Sequence, residues 1–223
     1  NKPIIKLQTI AKKPLVGVVN GLYATQAGTG GLTIIEVMKV PSDKTLSLEL
    51  TGQQGDVMKE SMQCAKTLAW NLLSQKDKSN IINDWEENGI WGLHIHCPEG
   101  GTPKDGPSAG AAITVAILSK LLNKYVNNTI AMTGEIDLHG NIHQIGGVDS
   151  KLDGAIAAGV KIVLIPQDNK DDYIKYLKKQ IESKQLLYNN NDTLVNLEEK
   201  ANIGIKVCIV SKIEEVIDII FIK

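Results

Sequence analysis

"PKDGPSAGAAITVAILSKLL", residues 103–122, begins with the chemistry of a turn and ends as a segment that cannot face water. Pro103, Asp105 and Gly106 supply the backbone angles and local hydrogen bonds that turns require. From Ala109 to Leu118 nearly every side chain is apolar or small. A helix made from them has no polar face and must be surrounded, which calls for other layers of structure to cover it. Ser108 stands between the two halves, behind Pro107. Proline favours the first helical position, so Ser108 falls inside the first turn, where amides lack intrahelical partners and the helix dipole favours negative charge. That environment suits an oxyanion. It also suits a serine that does no more than cap the helix.

The segments on either side supply the covering layers. "PLVGVV" (Pro14 to Val19) reads as a strand followed by a turn at Asn20-Gly21. "LTIIEVMKV" (Leu32 to Val40) and "TLSLEL" (Thr45 to Leu50) read as further strands, the first ended by Pro41. "DVMKESMQCAKTLAWNLL" carries apolar residues at helical spacing. "WGLHIHCP" (Trp91 to Pro98) alternates, with Trp91, Leu93, Ile95 and Cys97 on one face and His94 and His96 on the other. "TGEIDLHGNIHQIGG" suggests a hairpin turning at Gly140-Asn141, and "DSKLDGAIAAG" a short helix closed by Gly159. "VKIVLIP" reads as a central strand, "DDYIKYLKKQIESK" as an amphipathic helix and "IKVCIV" as a last strand. The closing helix, "SKIEEVIDIIF", has a capping box from Ser211 to Glu214. The Asn-rich stretch near 185–203 reads as a surface loop insertion. Mixed strands and helices give an α/β (α+β) class.

The 223 residues carry a net charge of -1, and all 24 basic residues are lysine. A near-neutral chain with scattered lysines lacks the basic footprint of a nucleic-acid binder. Without arginine it has no bidentate clamp for phosphate or carboxylate. Three distant cysteines, Cys64, Cys97 and Cys208, read as reduced core thiols rather than a disulfide framework. No apolar run approaches the roughly 20 residues of a membrane span. No GxxxxGK[ST] motif, and hence no P-loop, is present.

A nucleophilic serine needs a base, and lysine can serve if it is neutral. Lys151, in "GGVDSKLDGAIAAG", stands near the start of a short helix, where the dipole disfavours an ammonium and apolar neighbours would disfavour it further. Asp149 and Asp153 would push the other way unless they point elsewhere. The bland alternative is a lysine on the surface.

Taken together, "PKDGPSAG", "AMTGEI", "GGVDSKL" and "VLIP" resemble the proteolytic domain of ATP-dependent Lon proteases, from about Gly17 to the C-terminus. The resemblance implies a Lon-type fold of mixed sheets flanked by helices, with Ser108 as nucleophile and Lys151 as base. Residues 1–16 would then be a linker from an ATPase module, and 17–223 the peptidase domain. It further implies that Thr133 and Glu135 orient the lysine, that Asp105 shapes the site, and that His94, His96 and Glu99 line the same region. Gly106 and Pro107 would place the loop whose amides, with that of Ser108, hold the oxyanion. No cofactor is expected in this domain; ATP and Mg would belong to the ATPase module. The expected partners are unfolded or damaged proteins and five further copies in a hexamer, with no membrane or nucleic-acid contact. "GQQGDVMKES" and "EVIDIIF" are similar to mitochondrial members, which suggests the matrix, with a bacterial cytoplasm as the alternative. In contrast, "GLYATQAGTGG" departs from the family's "GLAWT"-like segment by an extra residue. Two rival readings are a metal site at His94, His96 and Glu99 and a non-catalytic assembly or binding module on the same fold.

Overall fold

The computed structural model describes residues 8–52, 55–98 and 106–222. Strands β1 (Leu15–Val16), β2 (Val18–Ala24), β3 (Gly30–Pro41) and β4 (Leu48–Thr51) lead into helices α1 (Asp56–Leu72) and α2 (Gln75–Asn88). After β5 (Trp91–His96), a 3-10 turn at Pro107–Ala109 opens α3 (Gly110–Leu122). Short strands β6 (Tyr125–Val126), β7 (Ile130–Met132), β8 (Glu135–Ile136) and β9 (Ile142–His143) precede α4 (Val148–Ala157). The remaining elements are β10 (Ile162–Pro166), α5 (Lys170–Ser183), α6 (Leu194–Ala201), β11 (Lys206–Val210) and α7 (Ile213–Ile220).

Seven strands form one sheet in the order β11-β10-β7-β2-β3-β5-β4. Only β3 runs against the others, pairing antiparallel with both β2 and β5. One face packs under α1, α3 and α7, and the side chains of α3 from Gly110 to Ser119 are all buried, as its lack of a polar face requires. The other face packs under α4, α5 and α6, with Leu22, Leu32, Val163 and Ile165 meeting Leu152, Tyr176 and Leu177. No helix among the described residues is long and apolar enough to cross a membrane, and the three cysteines are thiols rather than disulfides.

Helix α4 lies almost on the backbone of β3. A Cβ on Gly154 would stand 2.4 Å from Gly30 C and Gly31 N, and one on Gly30 would stand 2.0 Å from Ser150 O. Both obstacles are main chain and cannot rotate away. Gly154→Ala is therefore expected to cost about 1–3 kcal/mol through overpacking, measured as a lower urea midpoint with an unchanged slope.

Several local readings are corrected. Asn20-Gly21 is not a turn but the middle of β2, because the buried Asn20 side chain donates to the carbonyls of Asn128 and Ile130. The turn that joins β2 to β3 lies at residues 25–29, where Thr25 and Thr29 pair through both backbone and hydroxyl groups. Gly17, with φ +75°, breaks the first strand in two. Helix α2 gives no clear helical period, since only Ile81 is buried; Trp85 anchors it between Trp70 and Trp91. The Asn-rich stretch near 185–203 is a loop only in its first half. Thr193 and Asn196 cap α6 reciprocally, and Leu197 and Ala201 bury that helix. At α7 it is Glu215, not Glu214, whose carboxylate accepts from the amides of Ser211 and Lys212.

Candidate active site

Six of the seven strands of the large sheet point the same way, and crevices at the carboxyl ends of such strands are where α/β sheets bind ligands. The carboxyl end of β2 delivers Tyr23 to Gln26, that of β7 delivers Thr133, and that of β10 delivers Asn169. A cleft of about 700 Å³ opens there, walled by the β2 end on one side and by residues 144–147 on the other. Ser108 and Lys151 both line it.

Ser108 is half-buried in the 3-10 turn, with Pro107 at its first position and Gly106 before it at φ +124°. Its carbonyl accepts from Gly134 N at 2.8 Å and from the Thr133 hydroxyl at 3.3 Å. Ala111 N in turn donates to Gly134 O at 3.0 Å. Gly134 therefore ties the start of α3 to the end of β7, and no larger residue fits, because a Cβ there would meet Ile142 at 2.5 Å. The backbone of Ser108 is thus held while its hydroxyl is left to the cleft.

Lys151 is 4 % exposed on the first turn of α4, a rare burial for a lysine. Its Nζ donates to Thr133 Oγ1 at 3.0 Å, so Thr133, itself 2 % exposed, joins the amine to the Ser108 carbonyl. Desolvation lowers the amine from its ordinary 10.5 to about 8. The two nearby aspartates do not oppose this. Asp149 faces Lys179 at 3.5 Å, and Asp153 accepts from the Tyr176 hydroxyl at 2.7 Å.

Glu135, His94 and His96 fall outside this cluster. Glu135 is exposed on β8 opposite His143, in a separate two-stranded ribbon that starts after the chain has left β7 at Met132, and the hydrogen bond of Lys151 goes to Thr133 instead. His94 Nε2 and His96 Nδ1 share the Thr51 hydroxyl at 2.8 and 2.7 Å on the β5–β4 side of the sheet, and neither lines the cleft. Among the described residues no three His, Cys, Asp or Glu side chains are grouped to hold a metal ion. Glu99 and Asp105 lie outside the described residues. Asn169, by contrast, belongs to the cleft and was not anticipated from sequence. It stands three residues past the end of β10, and its bonds to the backbone of Ile145 left no signal in the sequence.

The chain matches the family model for the Lon protease (S16) C-terminal proteolytic domain over residues 1–192. It is 46% identical over 187 residues to a Lon protease homolog of Acanthamoeba polyphaga mimivirus, covering 82% of this chain and 18% of that protein. A Lon protease of Buchnera aphidicola is 46% identical over 167 residues, covering 75% of this chain and 20% of the relative. A mitochondrial Lon protease homolog of Mus musculus is 39% identical over 178 residues, covering 77% and 18% respectively. The chain spans about a fifth of the length of these relatives.

Proposed function

Because the chain belongs to the Lon C-terminal proteolytic-domain family, we propose that it is a serine endopeptidase in which Ser108 and Lys151 form the catalytic dyad. The observation that carries this reading is the burial of Lys151 with a hydroxyl, and not a carboxylate, as its hydrogen-bond partner. An amine held this way is neutral in a substantial fraction of molecules near pH 8 and can act as a base. A pure binding module gains nothing from burying a lysine.

In the proposed reaction Ser108 Oγ attacks the peptide carbonyl carbon and Lys151 Nζ takes the hydroxyl proton. Amides of the loop containing Gly106, Pro107 and Ser108 stabilise the oxyanion; Pro107 has no N–H and contributes only its shape. As the C–N bond breaks, the Lys151 ammonium returns the proton to the departing amine. A water molecule then attacks the acyl-serine, giving its proton to Lys151, and the serine leaves with that proton restored. Catalytic hydrogen bonds of this kind shorten when substrate is bound. Thr133 positions the amine, and Thr133→Val, which keeps the shape and removes the acceptor, is expected to slow peptide hydrolysis about tenfold, the worth of one such hydrogen bond. Strand β2 pairs with β7 only at Asn20 and Gly21, so its edge beyond them is open beside the cleft. An extended peptide could add to that edge, which favours unfolded substrates.

For the full-length protein we propose six such domains in a ring, fed with unfolded or damaged proteins by an ATPase module that uses ATP and Mg. The mitochondrial matrix is the proposed compartment and a bacterial cytoplasm the alternative, since relatives of both origins match. The deciding experiment is intact-mass detection of a peptide boronate adduct on the wild type beside Ser108→Ala. Equal labelling of both would sink the reading.

A further inference from the structure

We propose that Asn169 is a positioning residue of this site, holding the 144–147 wall and, through it, the start of α4 in the place that brings Lys151 to Thr133. The proposal rests on the peptidase reading above and adds a residue to it.

Asn169 is 1 % exposed at the end of the 3-10 turn that succeeds β10. Its Oδ1 accepts from Ile145 N at 2.9 Å and its Nδ2 donates to Ile145 O at 2.8 Å. One carboxamide thus answers both backbone groups of a single residue, as a neighbouring strand would. The second Nδ2 proton goes to Asp172 Oδ2 at 3.0 Å, which fixes the plane of the amide. Ile145 is buried, so its backbone groups need these partners.

The two residues after Ile145 make the clamp consequential. Gly146 and Gly147 are the most freely rotating pair the chain could place there. Gly147, at φ +70°, is the residue at which α4 begins, and its carbonyl accepts from the backbone N of Lys151 at 3.0 Å. Two glycines cannot by themselves set the direction of a helix, and the clamp lies immediately before them. On the other side Gly147 abuts Ala24, where a Cβ would lie 2.6 Å away, so a displaced loop has little room before it meets β2. Asn169, Ile145, Gly147, Ser108 and Lys151 all line the same cleft. An Asp at 169 would retain the bond from Ile145 N but set an anionic oxygen against Ile145 O and Asp172. An Ala would remove all three bonds.

The test uses Asn169→Asp and Asn169→Ala in the full chain, with wild type and Ser108→Ala as references. It reads the rate of boronate labelling across pH 6 to 10, hydrolysis of a fluorogenic peptide, and thermal melting. With the variants folded at the assay temperature, labelling and kcat are expected to fall roughly ten- to a hundredfold, the range for a small misplacement of a catalytic group. The ascending limb of the pH profile should also move upward, as water reaches Lys151 and its amine relaxes toward the ordinary lysine value. A lower melting temperature with labelling rate per folded molecule and pH limb both unchanged would overturn the proposal and leave Asn169 as a support of stability only. Should Asn169→Ala not fold, the near-isosteric Asn169→Asp carries the same two outcomes. A wild type labelled no faster than Ser108→Ala would instead overturn the peptidase reading and the proposal with it.

Discussion

Ser108→Ala is expected to reduce peptide hydrolysis by at least about 10⁴-fold, the scale on which loss of a catalytic nucleophile acts, while leaving the melting temperature nearly unchanged. The two effects come from different atoms of one residue. Structurally, Ser108 contributes its carbonyl, which receives Gly134 N and the Thr133 hydroxyl, and alanine retains that carbonyl. Alanine is also a better helix former than serine, so the 3-10 turn into α3 is kept. Chemically, Ser108 contributes Oγ, which alanine lacks, and a backbone amide, which alanine keeps. Were the hydroxyl a helix cap instead, its loss would cost about 1 kcal/mol of stability and nothing in rate. Parallel melting curves and single-turnover assays separate these cases. A destabilised variant with wild-type turnover would return Ser108 to the role of a cap.

Legibility from sequence tracked the range of the interactions involved. Helix α3 was readable because its apolar character is contained in consecutive residues, and burial on every side is the one outcome such a segment permits. Ser108 and Lys151 were readable as candidates because each stands at a helix start. That Asp149 and Asp153 turn away from Lys151 was not, since their partners are Lys179 and Tyr176 on another helix. Asn20-Gly21 misled for the same reason: a local turn preference lost to two long-range bonds that Asn20 makes beside β7. Helix α2 escaped notice because a nearly all-polar helix held by Trp85 has no apolar stripe to count. Glu135 was placed at the site by resemblance alone, and the break between β7 and β8 at residues 133–134 leaves its side chain exposed on a different sheet. Asn169 acts across 24 residues through backbone groups, which leave no mark in a sequence.

Lys151→Met is expected to abolish turnover and to make the folded chain more stable at pH 7. The amine has an ordinary value of 10.5 and is lowered to about 8 by burial. The unfolded chain therefore binds the proton more tightly than the folded one, and stability rises with pH between about 8 and 10.5. Below about pH 8 the folded state carries the full cost of a buried ammonium, roughly 3 kcal/mol at one pKa unit per 1.36 kcal/mol. Methionine removes that cost and fills a similar volume, but it forfeits the bond to Thr133, worth about 1 kcal/mol. A net gain of about 2 kcal/mol raises the melting temperature by roughly 4–8 °C in a domain of this size. The gain should shrink as pH climbs past 8, cross zero near pH 10, and become a deficit of about 1 kcal/mol above 10.5, where the wild-type lysine is neutral in both states and only the lost bond to Thr133 counts. Wild-type turnover should rise over the lower part of the same window, because the base acts only when neutral. The stability gain and the activity loss thus share one cause, a lysine kept out of water so that it can accept a proton. A methionine variant that is less stable than wild type at pH 7, with a difference independent of pH, would show that Lys151 is not held under desolvation strain and would remove the physical basis for its role as the base.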